Sequence, residues 1–185
     1  MVLEEAAAAV YTISGLQVHI HGLPTLRQSK PVTVLFLLHG RLSSQESFSP
    51  SIAEFNLPSL NSRTTLKRQL SPPPKTSLIC RLVCSFDERN HGHRLVNNKA
   101  KCIPSMKFAD WSLTWRDDNP THAQDMYSIL CGTAHDVSML IDYLPSYLFP
   151  NDENEIVDWG VCGVSLGGHA VWICLGQGTP YKCSH

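Results

Sequence analysis

The segment from Gly163 to Gly168 (Gly-Val-Ser-Leu-Gly-Gly) constrains the fold of this chain more than any other. It follows an apolar run of strand character and precedes a helical pattern. A Gly-x-Ser-x-Gly sequence in that position is typical of a sharp strand-to-helix turn, where larger side chains in place of the glycines would clash. We therefore predict that Gly163 and Gly167 shape the turn, and that it presents Ser165 at the edge of a sheet as a nucleophile.

A serine hydroxyl is a weak nucleophile, so a site built on Ser165 also needs a base and donors that stabilise an oxyanion. The backbone N–H of Leu166 lies at the start of the predicted helix and is one such donor. The second is expected from the loop after an earlier buried strand. Gly40 follows such a strand, so the candidate is the backbone N–H of Arg41 or of its neighbour Leu42.

Uninterrupted apolar runs predict a parallel sheet. A hairpin is predicted from Tyr11 to His21, with its turn at Ser14-Gly15. Further strands are indicated by three apolar runs whose lack of alternation suits burial on both faces. These runs cover 32–38, 78–86 and 155–162.

Two helices are predicted between and after these strands. Apolar residues recur at three- and four-residue steps from Ala123 to Leu144, with Asn119 as the cap, Pro120 at the first position and Pro145 at the end. A second helix is predicted over 169–175. Strands that alternate with helical patterns predict an α/β fold.

Length and composition predict one globular domain over 1–185, since 43% of the residues are hydrophobic and 17% are charged. The net charge of −1 gives no reason to expect nucleic acid as a partner.

The longest apolar run is too short to span a bilayer. Glu4 and Glu5 stand where a signal peptide would carry positive charge, so a cytoplasmic protein is expected.

Two further features fit this interpretation. The seven cysteines are odd in number and irregularly spaced, which favours reduced, mostly buried thiols over a disulfide framework. Residues 61–77 are polar and basic and include Pro72-Pro73-Pro74, so they are predicted to form a surface loop or to be an insertion.

Three segments together carry a resemblance to a known family. They are 37–40 (Leu-Leu-His-Gly), 87–92 (Asp-Glu-Arg-Asn-His-Gly) and the serine turn, each after an apolar run. From about 12 to 175 the chain resembles the α/β-hydrolase superfamily, in its esterase/lipase-like branch. In many members the middle segment reads Asp-x-Arg-Gly-x-Gly, and here Asn90 replaces a glycine.

The resemblance implies a mostly parallel sheet with helices on both faces and hydrolysis of a small-molecule ester or related acyl substrate, without a cofactor. It implies Ser165 as nucleophile, the backbone N–H groups of Leu166 and Arg41 as the oxyanion hole, and a structural role for Asp87 and Arg89 at the active edge.

In the family an acid and then a histidine follow the serine along the chain. Residues 166–185 contain no acid. Their histidines, His169 and His185, lie on the helix after the serine and at the chain end. No catalytic acid or base is therefore identified, and later strands of the sheet are expected to be missing.

Two alternatives to an active serine hydrolase stay open. The chain could be a catalytically inactive fragment or an interaction module, because an open sheet edge at the serine-bearing strand would favour self-association. A metal-dependent hydrolase built on His91 and His93 is the weaker alternative, since no further ligands are evident and no metal site is predicted.

Overall fold

The computed structural model describes residues 8–28, 30–48, 80–96 and 120–177. Its apolar runs form one sheet of five strands. The strands are β1 (Ala9–Ile13), β2 (Leu16–His21), β3 (Pro31–Leu38), β4 (Cys80–Phe86) and β5 (Glu155–Gly163), in the spatial order β1-β2-β4-β3-β5.

The direction of the strands confirms the predicted α/β class. β3 lies between β4 and β5 and is parallel to both, whereas β2 is antiparallel to β1 and to β4. Within the described sheet, β2 is thus the one strand that runs against the others. The predicted hairpin is also present, and Ser14 (φ 50°) and Gly15 (φ 78°) form its two-residue turn.

Two α-helices, α1 (His122–Leu148) and α2 (Leu166–Gly176), pack on one face of the sheet. Alternate residues of β3, among them Val34, Phe36 and Leu38, are buried in the core shared with both helices. The opposite face holds a smaller cluster around Leu37 and Val83. Among the described residues, the predicted helical layer is therefore seen on one face.

Three predicted helix boundaries are wrong. α1 begins at His122 rather than Pro120, and α2 begins at Leu166 rather than at residue 169. Pro145 does not end α1, which continues to Leu148. A proline removes one helical hydrogen bond. Here Leu148 is buried and the N–H of Phe149 still donates to the Pro145 carbonyl at 2.9 Å, so the last turn is retained.

β5 is the end strand of the described sheet, where β3 is its hydrogen-bonded neighbour. Exposed apolar side chains lie along β5, in the turn that follows it and on α2. They are Val157, Val164, Trp172 and Leu175, and Trp172 is 75% exposed.

The structure describes only some of the residues on which the remaining predictions rest. Cys84 and Cys174 are buried, Cys131 is half-buried and Cys162 is exposed, and none of these four forms a disulfide. The predicted loop over 61–77 and the cap Asn119 lie outside the described residues. No helix in the described ranges has both the length and the apolar character needed to cross a membrane.

Candidate active site

The turn between β5 and α2 holds Ser165 in a conformation that side-chain-bearing residues rarely adopt. Its φ is 52° and its ψ is −110°, and the residue is exposed. A positive φ at a non-glycine residue costs energy and persists only where the surrounding structure enforces it. Ser165 is therefore an exposed residue with a strained backbone, placed between a strand and a helix.

Close backbone packing at two glycines enforces this turn. A Cβ on Gly163 would lie 2.4 Å from the backbone of Gly167, and a Cβ on Gly167 would lie 2.4 Å from the carbonyl oxygen of Leu38. Real Cβ atoms do not approach backbone this closely. The two glycines thus let α2 start directly against the end of β3, as the motif predicts.

Backbone hydrogen bonds join the serine turn to the residues that follow β3. The N–H of Val164 donates to the Leu38 carbonyl and the N–H of Gly167 donates to the His39 carbonyl, each at 3.1 Å. Gly40 lies beside the serine, since a Cβ at this glycine would be 3.5 Å from the Ser165 Cβ. The loop predicted to supply the second oxyanion donor therefore lies next to Ser165.

His39 connects that loop to the segment after β4. Its ring is fully buried, and the backbone N–H of Glu88 donates to His39 Nε2 at 3.0 Å. Because Nε2 accepts, the proton of the neutral ring is on Nδ1, which donates to the Gly40 carbonyl at 2.8 Å. Burial lowers the pKa of His39 despite that hydrogen bond and the attraction of Asp87, so the neutral form is favoured.

Asp87 ties the loop after β4 to the loop after β3. Its carboxylate accepts the backbone N–H groups of Gln45 and His93, each at 2.8 Å, and His93 Nδ1 at 3.0 Å. Burial on its own would raise the pKa of Asp87, but these donors and His39 lower it below its ordinary value. The Asp87 carboxyl group is therefore favoured in its charged form, and its hydrogen bonds hold the two loops together.

The backbone of the Asp-x-Arg-Asn-x-Gly segment is shaped around that carboxylate. Gly92 has φ 50°, and a Cβ there would lie 2.3 Å from the Asp87 carboxyl group. Asn90 has φ 60°, in the left-handed region that asparagine tolerates better than most residues. Asparagine is therefore compatible with the backbone conformation at this position.

A second ion cluster fixes the same segment to α1. Arg89 Nη2 donates to Asp136 Oδ1 at 3.0 Å, and Arg94 Nη1 donates to Asp136 Oδ2 at 2.7 Å. The Arg89 side chain lies where a Cβ on Gly132 would be, 2.4 Å from its Cδ. These contacts hold the segment after β4 against α1.

The described residues do not complete a catalytic triad. No hydrogen bond joins the Ser165 hydroxyl to another residue in the described ranges. His169 Nδ1 lies 2.8 Å from the backbone carbonyl oxygen of Ser165 instead. Leu166 is the first residue of α2 and Arg41 lies in the turn after β3, so the predicted oxyanion donors flank the serine and its neighbour Gly40.

Two residues of this region were missed in the sequence. Asp136 lies on the buried stripe of α1. An acid on an apolar helix face indicates that a cationic side chain pairs with it, because buried charges are normally paired. Glu88 is fully buried, yet its position between Asp87 and Arg89 gave no sign of that, because acids in a loop are normally solvated.

The overall architecture resembles that of TT1662 from Thermus thermophilus. The two structures align with a TM-score of 0.54 and 17% sequence identity, over 95% of this chain and 53% of TT1662. The fold is α/β. The chain spans about half the length of TT1662, and at this identity the likeness shows the fold alone. No protein-family model and no curated protein matches the sequence.

Proposed function

We propose that this chain carries the nucleophile and the oxyanion site of a serine hydrolase of the α/β-hydrolase superfamily, acting on a small ester or related acyl substrate. The observation that carries the proposal is the backbone of Ser165, with φ 52° and ψ −110°, at a strand-to-helix turn packed through Gly163 and Gly167. Strain of this kind is concentrated at functional sites.

In the proposed reaction the Ser165 oxygen attacks the acyl carbonyl and its proton passes to a base. The carbonyl oxygen becomes an oxyanion that the backbone N–H groups of Leu166 and Arg41 stabilise. Collapse of this intermediate expels the alcohol, which takes up the proton, and leaves an acyl-enzyme that water hydrolyses. A histidine base and its acid partner would come from outside the described residues, because no base within them forms a hydrogen bond with the Ser165 hydroxyl, and His169 contacts only the Ser165 carbonyl oxygen.

The proposal predicts that native protein reacts with a fluorophosphonate probe at Ser165. Labelling is expected for the wild-type chain and is expected to disappear in Ser165→Ala, as measured by intact-protein mass spectrometry. Ser128→Ala is the matched control, since Ser128 is another exposed serine, on α1. It should label like the wild type. Folded wild-type protein that does not react would contradict an active serine in this chain.

One observation favours an interaction module as the alternative. β5 is the end strand of the described sheet, and Val157, Val164 and Trp172 are exposed close to it. Such edges pair with other chains. If the chain self-associates there, its mass in light scattering should rise with concentration, and Trp172→Lys should reduce that rise. A chain that stays monomeric and does not label would exclude both self-association at β5 and an active Ser165.

A further inference from the structure

Glu88 is an ionisable residue buried in the interior of the described structure. Its side chain is fully buried, and neither carboxyl oxygen has a hydrogen-bond partner among the described residues. Burying a charged carboxylate without donors is costly, whereas a neutral carboxyl group costs far less. Its neighbours along the chain, Asp87 and Arg89, each have several polar contacts.

Burial of Glu88 outweighs the electrostatic attraction that would favour its ionised form. Arg94 attracts the carboxylate, but Asp136 and the Asp87 carbonyl already accept from its guanidinium. The adjacent carboxylate of Asp87 adds negative charge. The rings of His39 and His91 lie 5.5 Å apart, and the His39 ring favours the neutral state. Burial raises the pKa of Glu88 to about 8 although Arg94 opposes the shift.

A short series of contacts connects the backbone of Glu88 to Ser165 through His39 and Gly40. Its N–H donates to His39 Nε2, and His39 Nδ1 donates to the carbonyl of Gly40. Gly40 in turn lies against the Ser165 Cβ. A displacement of Glu88 would therefore alter the conformation of the loop that carries the Arg41 N–H.

We propose that Glu88 is a proton-dependent positioning residue, which holds the loop over 39–42 in place while its carboxyl group is neutral and releases it on ionisation. Charging the carboxyl group draws it towards water, which pulls its backbone N–H away from His39. The loop thus loses the donor that fixes the His39 ring. The consequence for Ser165 rests on the proposed function, but the loosening of the loop does not.

Amide hydrogen exchange of the Glu88 N–H, which donates to His39 Nε2, tests this contact directly, from pH 6 to 9, in the wild type and in Glu88→Gln. With a midpoint at about pH 8, the neutral fraction falls about ten-fold between pH 7 and pH 9. The ratio of wild-type to variant exchange rates should rise by about the same factor. Using this ratio removes the ordinary dependence of exchange on hydroxide. If the glutamine variant does not fold, Glu88→Met serves as the non-ionising reference.

Thr133→Val is the matched control, because Thr133 is also buried, its side-chain oxygen has no hydrogen-bond partner within the described ranges, and it does not ionise between pH 6 and 9. Its exchange ratio to the wild type should stay constant with pH. A flat wild-type to Glu88→Gln ratio would overturn the inference.

Fluorophosphonate labelling in the same samples separates this inference from the proposed function. A matching fall in the wild-type to Glu88→Gln labelling ratio supports both. A rise in the exchange ratio without any labelling supports the inference and contradicts the proposed function. Normal labelling with flat exchange overturns the inference alone.

Discussion

The turn after β5 and the loop after β4 lie at the same edge of the sheet but are held in opposite ways. The serine turn depends on missing side chains, since Gly163 and Gly167 let backbone meet backbone. The loop after β4 depends on side chains, since hydrogen bonds to Asp87 and Asp136 join it to the loop after β3 and to α1. One region is fixed by shape and the other by charge.

This difference predicts how each region responds to change. A shape-determined turn has no alternative packing, so one methyl group should disrupt it regardless of pH or salt. A charge-determined loop should weaken in steps and should respond to pH and ionic strength. The three substitutions below test this contrast, from the largest expected effect to the smallest.

Gly167→Ala should have the largest effect. Its Cβ would lie 2.4 Å from the Leu38 carbonyl oxygen and 2.7 Å from that of His39, and both are backbone atoms that cannot turn aside. We expect the free energy of unfolding to fall by about 3 kcal/mol or more, measured by urea denaturation. The loss should be the same at pH 5 and pH 8.

Gly168→Ala is the control for that substitution, because its Cβ would come no closer than 3.3 Å to the Gly163 carbonyl oxygen. The control should cost far less. Equal losses for Gly167→Ala and Gly168→Ala would show that the turn is not limited by the contact with β3.

Asp87→Asn should have an intermediate effect that depends on pH. The amide of asparagine is a donor and cannot accept the N–H groups of both Gln45 and His93 as the carboxylate does. We expect a loss of about 2 kcal/mol at pH 7. Since the pKa of Asp87 is lowered in the folded protein, its contribution is present above the unfolded value near 3.8 and is lost as pH falls below it.

The measurement for Asp87→Asn is the difference in unfolding free energy from the wild type, between pH 2 and pH 7. It should narrow as the solution is acidified below pH 4. A difference that stays constant over this range would mean that the charge of Asp87 does not hold the loop.

Asp136→Asn should have the smallest effect. It weakens the pairs with Arg89 and Arg94, but the Arg89 side chain is 46% exposed, so solvent screens much of that attraction. We expect a loss of about 1 kcal/mol at low salt, shrinking in 1 M NaCl. A loss that salt does not change would indicate a packing defect rather than a lost ion cluster.

The serine turn could be predicted from the sequence because local residues determine it. The pattern around Ser165 requires glycine at fixed positions, and the structure shows the backbone contacts that exclude other residues there. The parallel strands were predictable for a similar reason, because each run is continuous and apolar.

The loop after β4 could be predicted only as a motif. Its contacts join Asp87 to Gln45 and Arg89 to Asp136, residues more than 40 positions apart along the chain. The pairing of each acid with its cation depends on how the sheet and α1 pack against each other. The spacing of these residues along the sequence does not determine that packing. The predicted end of α1 at Pro145 was wrong for a related reason, since packing of the last turn outweighs a local preference.

The hydrogen bond from His39 to the Gly40 carbonyl also sets the direction of a dipole. No peptide bond in the described structure is cis, so the C=O of Gly40 and the N–H of Arg41 point in opposite directions across one rigid plane. Holding that carbonyl towards the buried ring turns the N–H towards the other side of the chain. The buried ring of His39 thus fixes the orientation of the N–H group that is proposed to stabilise the oxyanion.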